Sequence, residues 1–467
     1  MSAGAKRNVP MSAGAKSNVP MNDRDEQGQT GLSRRLRQAQ ADQRLPAVSA
    51  EVRRGPDRLW SDAVHAGPQH AFRIGSITKT FTAALVMQCR DDGLLSLEDR
   101  VADHLDVRLD TGVTIRRALS HLAGLQREPA DDVWAGGPVP DEATLLAGLA
   151  RAEQVLPPAR RFHYSNLAFA LLGQVVAACR GTSWESALSE RLLQPLGLTR
   201  TSVTPGEPFA SGGFTEPWSD HVRTEPMFAT GAVGPAAQLW STASDVARWG
   251  VFLTDPDPAV LAPSTAEEMA EVAVMADSQR WNVAYGLGLM LFRRGDRILV
   301  GHGGAMPGFL AAVVADPETH TSAAVLTAAG RGATPDELAM ALLEESLDAD
   351  PPPVKAWQPA DPAPADVRPL LGHWWTEGME LVFSWHDRLE ARVAAAPSWR
   401  APAVFTRLAG DPECWRTVSG REAGELLRVV RSADGAVTSL HWATYALTRD
   451  PTPFADLLGA GPRPDAP

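Results

Sequence analysis

Apolar and polar positions divide the chain into regions of different period. Residues 1 to about 35 are small and polar, show no periodic apolar face, and open with a near-perfect repeat, MSAGAKRNVP then MSAGAKSNVP. This composition predicts a disordered tail over 1–35. From 36 to 348 the pattern is mixed. Residues 47–53 and 57–64 read as a strand pair around Gly55-Pro56. Ser76 to Arg90 reads as a helix that is apolar on nearly every side (Phe81, Ala83, Leu85, Val86, Met87), which belongs in the middle of a domain. Gly93 ends it. Leu167 to Cys179 is a second such helix, and Thr182 with Glu185 resembles a capping box for a third. Residues 287–292, 297–301, 309–316 and 321–328 read as strands joined by short turns, hence an antiparallel sheet, with an amphipathic helix over 335–347.

The character changes after that helix. Residues 349–365 form a proline-rich linker. Over 366–452 the chain shows short alternating segments, six tryptophans (Trp374, Trp375, Trp385, Trp399, Trp415, Trp442) and an Asp434-Gly435 hairpin signal, which predict a small all-β domain. Residues 453–467 read as a disordered tail.

With 467 residues, 44% hydrophobic and 21% charged, the chain is long enough for two or three globular domains. Lys+Arg 44 against Asp+Glu 56 gives a net charge of −12, which disfavours general binding of nucleic acid or anionic membrane. No run approaches the roughly 18 apolar residues of a membrane span. Ser33-Arg34-Arg35 is followed by a polar run rather than an apolar signal core, so a cytoplasmic location is expected. The three cysteines (Cys89, Cys179, Cys414) cannot build a disulfide framework, and Cys89 and Cys179 sit in apolar runs as structural thiols do. No His/Cys cluster has metal-ligand spacing, and no cofactor is expected.

The basic residues are uneven. Lysine occurs only at Lys6, Lys16, Lys79 and Lys355. Lys79 is thus the single lysine between residues 17 and 354, in a region that otherwise uses arginine for charge. It closes Ser76-Ile77-Thr78-Lys79. Spacing i, i+3 puts both side chains on one helical face. A serine hydroxyl becomes a nucleophile when a neighbour takes its proton. A lysine does this once burial lowers its pKa, and an arginine does not. The alternative reading is a capping serine with a snorkelling lysine. Tyr164-Ser165-Asn166 precedes the second buried helix. Its phenol could relay protons, or it could be a buried aromatic with Asn166 as helix cap. His302-Gly303-Gly304-Ala305 follows the strand 297–301. It reads either as a histidine acting on substrate beside glycines that admit a ligand, or as a simple turn.

Taken in order, these segments resemble the serine β-lactamase-like, penicillin-recognising hydrolases, in particular the class C-like branch of esterases, D-aminopeptidases and D-Ala-D-Ala carboxypeptidases. The resemblance spans about residues 45–345. It rests on Phe72-Arg73-Ile74-Gly75-Ser76-Ile77-Thr78-Lys79, Asp92-Gly93-Leu94-Leu95, the stretch from Thr114-Ile115-Arg116 to His121-Leu122-Ala123-Gly124-Leu125, and Phe162-His163-Tyr164-Ser165-Asn166. Gln194-Pro195-Leu196-Gly197, Leu239-Trp240-Ser241-Thr242, Tyr285-Gly286-Leu287-Gly288 and Gly301-His302-Gly303-Gly304 continue it.

The resemblance implies an α+β fold of the β-lactamase/transpeptidase type: an antiparallel sheet flanked by helices, plus a mostly helical subdomain. The terminal β domain resembles the lipocalin-like appendage of some members. It implies an acyl-enzyme on Ser76, with proton work shared by Lys79 and Tyr164. It also implies a role for His302, an oxyanion hole from the N–H groups of Ser76 and Ala305, and substrate contacts from Asn166, Gly303 and Gly304. Where β-lactam-binding members carry Lys-Thr-Gly, this chain has His302-Gly303-Gly304, so recognition of a substrate carboxylate is weakened. The expected partner is a small ester, amide or peptide substrate, with a carboxylesterase-like hydrolase as first choice. A D-amino-acid peptidase or weak β-lactamase is second, and an inactive binding relative is the non-enzymatic alternative. Oligomeric state is not readable.

Overall fold

The computed structural model describes residues 23–105, 107, 112–129, 139–353, 356–376, 378–397 and 400–452, with side chains from residue 31 onward. The duplicated decapeptide, Trp399, Lys355 and the terminal segment lie outside them. Two compact units separate at residues 353 and 354.

The first unit is built on eight antiparallel strands. These are β1 (Val48–Arg54), β2 (Asp57–Val64), β3 (Val274–Met275), β4 (Val283–Tyr285), β5 (Met290–Arg294), β6 (Arg297–Met306), β7 (Phe309–Asp316) and β8 (Thr321–Thr327), in the spatial order β2-β1-β8-β7-β6-β5-β4-β3. The central strands are covered on both faces, so side chains of period two enter two separate cores. On β7, Ala311, Val313 and Ala315 enter one core, and Ala312 and Val314 the other. The first core holds the helices Thr78–Asp91, Asn166–Arg180 and Ala243–Phe252. The second is closed by the helices Asp23–Asp42 and Pro335–Ala349.

The helix Asp23–Asp42 corrects the expectation of disorder up to residue 35. Leu32 and Leu36, spaced i, i+4, are its buried apolar anchors among the described side chains, and Ala39 packs beside them against the second core. Two apolar residues in a polar stretch give no periodic signal. Tertiary packing rather than propensity holds such a helix. A second correction concerns the third helix: its N-cap is Ser183, whose hydroxyl accepts from the Ser186 N–H, one residue beyond the expected Thr182.

The helix Thr78–Asp91 is preceded by a 3-10 turn at Gly75–Ile77 and is buried from Thr78 to Cys89. Its threonines satisfy their hydroxyls internally. Thr82 donates to the Pro235 carbonyl at 2.7 Å, and Thr80 accepts from the Trp249 indole at 2.7 Å. Burial pushes the Cys89 thiol up to about 11, as an inert structural cysteine requires.

The second unit is a meander: β9 (Gly372–Thr376), β10 (Met379–Trp385), β11 (Leu389–Val393), β12 (Ala403–Leu408), β13 (Asp411–Ser419), β14 (Leu426–Arg431), β15 (Val437–Trp442) and β16 (Tyr445–Leu447), each paired with the next. A bridge between Trp375 and Thr448 brings the ends together into a near-barrel. Its own core includes Trp374, Phe383, Phe405, Trp415 and Trp442.

Candidate active site

Ser76 lies on the 3-10 turn that starts the buried helix, and Lys79 sits one turn further, fully buried. The Lys79 ammonium nitrogen has three neighbours: Ser76 Oγ at 3.2 Å, Asn166 Oδ1 at 2.6 Å and the Ala236 carbonyl at 2.8 Å. Asn166 is oriented by its other end, since its Nδ2 donates to Glu128 Oε1 at 2.6 Å. Both Asn166 Oδ1 and the Ala236 carbonyl can only accept. They therefore take two N–H groups from Lys79, and the third position on Nζ faces the serine. Burial holds the lysine well below its ordinary pKa, with the Glu128 carboxylate acting against that shift.

Burial raises the Tyr164 phenol above the usual tyrosine range, and the Ser76 side chain acts against that rise. Its ring has Lys79 Nζ at 4.8 Å and the Arg127 guanidinium at 4.9 Å. The His121 ring packs against it at a tilt, with ring centroids 4.2 Å apart, and accepts the Ser165 N–H at Nδ1. Asn166 is not the cap of its helix. Ser165 caps it, accepting from the Ala168 N–H at 3.1 Å, which leaves the Asn166 side chain for Lys79.

The strand expected to stop at residue 301 runs on to Met306, so His302, Gly303, Gly304 and Ala305 are strand residues of β6 and form no turn. The reason is a backbone-on-backbone contact. A Cβ on Gly304 would lie 1.9 Å from the Ile74 carbonyl, and one on Gly75 would lie 2.6 Å from Ala305 N. Gly75 also has φ +51, a region that favours glycine. Glycine at both positions lets β6 lie directly against the turn that carries Ser76.

His302 is buried, and both ring nitrogens are engaged. Nδ1 donates to the Gly303 carbonyl at 2.5 Å, so Nε2 accepts from the Tyr285 hydroxyl at 3.0 Å. Desolvation lowers its pKa to about 3, which keeps the ring neutral. The expectation that His302 donates to substrate or transfers a proton does not fit this arrangement. No cation arises here near neutral pH, and neither nitrogen is free.

Ser76, Tyr164, His302, Gly303, Gly304 and Ala305 share one cleft of about 480 Å³. Apolar Phe162, Met290, Phe292 and Leu310 line it, with Arg127 and Asp336 as its charged residues among those described. Sequence reasoning missed Glu128, Arg127, Tyr285 and the Ala236 carbonyl. Tyr285 stood in a quoted motif, but nothing local marks it as the partner of a histidine 17 positions on. Among the described residues no group of three or more His, Cys, Asp or Glu could hold a metal ion.

A helix-covered antiparallel sheet, with serine, lysine and tyrosine meeting at its junction with the helices, defines the β-lactamase/transpeptidase-like fold of the serine hydrolases. The chain belongs to the Beta-lactamase family, whose profile matches residues 32–347. A second profile, described as Domain of unknown function (DUF7586), matches residues 363–449. Penicillin-binding protein 4 of Amycolatopsis lactamdurans is 31% identical over 350 residues, covering 68% of this chain and 90% of that protein. Among solved structures, a D-stereospecific amidohydrolase from Streptomyces sp. aligns with a TM-score of 0.60 at 25% identity, over 68% of this chain and 98% of that one. The octameric penicillin-binding protein homologue from Pyrococcus abyssi aligns at 0.63 and 20% identity, over 90% and 99% of the two chains, and shows likeness of fold. No helix of the described residues is long and apolar enough to cross a membrane.

Proposed function

We propose that the protein is a hydrolase of small esters or amides that works through an acyl-enzyme on Ser76. The observation that carries this reading is the set of neighbours around Lys79. Two obligate acceptors fix two of its N–H groups, so the lone pair of the neutral amine points at Ser76 Oγ. Lys79 is then the base that takes the serine proton as Oγ attacks the carbonyl. Tyr164, kept protonated by its raised pKa, gives a proton to the leaving group, and the proton that Lys79 took from Ser76 then restores the phenol. The N–H groups of Ser76 and Ala305 receive the oxyanion, in a hole assembled by the close approach of Gly304 and Gly75. Asn166 orients Lys79. Water then releases the acid.

The neutral state of His302 supports uncharged carbonyl substrates over those held by a free carboxylate. A second reading, hydrolysis of amides bearing a free amine, draws on one observation. The Asp336 side chain lines the cleft with no hydrogen-bond or ion-pair partner among the described residues, so an ammonium group could sit against it. The similarity to a D-stereospecific amidohydrolase agrees with that reading.

A fluorophosphonate probe tests the proposal. The native protein should be labelled and Ser76→Ala should not. An unlabelled native protein beside a labelled control esterase would sink the enzyme reading in favour of an inactive binding relative. Short-chain p-nitrophenyl esters should turn over faster than nitrocefin, and D-amino-acid p-nitroanilides separate the second reading from the first.

A further inference from the structure

The C-terminal barrel carries a cavity of about 490 Å³, within the range of about 300–1,000 Å³ that small-molecule sites occupy. It lies at the end of the barrel where the turns after β11, β13 and β15 gather. The middle of the barrel is filled. Phe383 stacks on Phe405 at 5.8 Å, and Trp442 meets Phe405 edge-on at 5.2 Å. The space beyond exists because the inward positions there are small. Ala391 pairs directly with Ala403 across β11 and β12, and both are buried. With Leu381 and Trp442 they make an apolar floor.

The rim has the opposite chemistry. Arg392, Arg400 and Arg421 line the mouth against a single carboxylate, Glu422. Glu422 is taken up by the Arg421 Nε at 3.3 Å, and Arg392 is held to the Arg400 carbonyl at 2.9 Å. The exposed Arg400 guanidinium has no partner among the described residues. Three guanidinium groups against one carboxylate leave an excess of positive charge over an apolar floor, in a chain whose net charge is −12.

We infer that this end of the barrel binds a small apolar molecule terminated by a single carboxylate. The apolar chain lies on Ala391, Ala403 and Trp442, and the carboxylate meets the arginine rim through charge-assisted hydrogen bonds. The inference is independent of the hydrolase reading, because the two units have separate cores.

Titration of the full-length protein with decanoate and with decanol, followed by calorimetry, tests it. Decanoate should bind one to one and more tightly than decanol. The double variant Arg400→Gln/Arg421→Gln should weaken decanoate about ten-fold, which is about 1.4 kcal/mol, and leave decanol unchanged. Ala401→Trp, at an exposed lining position, should remove binding of both. Hydrolysis by all these variants should equal that of the parent. Decanoate affinity that survives Ala401→Trp, equal affinity for decanoate and decanol, or no binding at all would each overturn the assignment.

Discussion

Each unit contains an eight-stranded antiparallel sheet, yet the two sheets use their inward and outward positions differently. The first stays open and is buried on both faces, and β6 meets the serine turn through glycine-allowed backbone contact. The second curls until β9 meets β16, and fills its middle with aromatic rings. The contrast shows where reactive geometry comes from. In the first unit a buried lysine, a buried histidine and a buried tyrosine are held by partners far apart in sequence. In the second, each strand pairs with the next along the chain, and a buried side-chain bond, from the Trp442 indole to Thr417 two strands away at 2.9 Å, ties the interior. Substitutions should therefore damage chemistry in one unit and only local stability in the other.

The largest effect is expected at Lys79. Lys79→Arg retains a charge that cannot be given up, so turnover should fall by roughly 10²- to 10⁴-fold. Circular dichroism checks that the variant is folded; near-parental turnover would refute the base assignment. Gly304→Ala comes next. Its Cβ would collide with the Ile74 carbonyl and push β6 from the serine turn, costing on the order of 10²-fold in kcat. Unchanged kcat would remove the oxyanion role from this contact. Tyr285→Phe leaves His302 Nε2 buried without its donor, which costs about 1–3 kcal/mol of stability in the first unit and only a modest loss of kcat. Chemical denaturation measures the first, and initial rates the second. The smallest effect is expected in the barrel. Thr417→Val removes one buried bond to Trp442, destabilises that unit by about 1 kcal/mol, and leaves hydrolysis untouched.

Acid should also separate the two units. His302 has its folded-state pKa lowered from 6.5 to about 3, and His121 is lowered well below 6.5 by burial. Below pH 6.5 the unfolded chain binds protons that the folded unit refuses, so stability of the first unit falls as pH drops from 6.5 towards 3. The barrel core contains no such buried histidine among its described residues. Activity should rise with pH through the lowered Lys79 pKa, because the neutral amine is the working form. A separate unfolding transition that moves with pH for one unit alone would establish the difference. A common shift would erase it.

Several elements were legible in the chain because their cause is local. The helix over 76–90, the strands over 309–316 and 321–328 and the hairpin at Asp434-Gly435 follow from period and turn chemistry, and the structure has them within a few residues, whereas the strand expected over 297–301 runs on to Met306. Ser76 and Lys79 are one helical turn apart, so their meeting needed no tertiary information. The N-terminal helix was not legible, because Leu32 and Leu36 acquire meaning only against the helix Pro335–Ala349 and the sheet beneath it.

The sequence by itself determined the motif set, the singular lysine, the order of the elements and the change of character after residue 365. Tertiary structure decided the protonation states and the partners. Asn166 and Ala236 reach Lys79 from 87 and 157 positions away, and Glu128 reaches Asn166 from 38. His302 reads in the sequence as a possible cation, and only burial together with Tyr285 makes it a neutral, doubly bonded ring. A residue's charge depends on its solvation and neighbours, and long-range packing sets both.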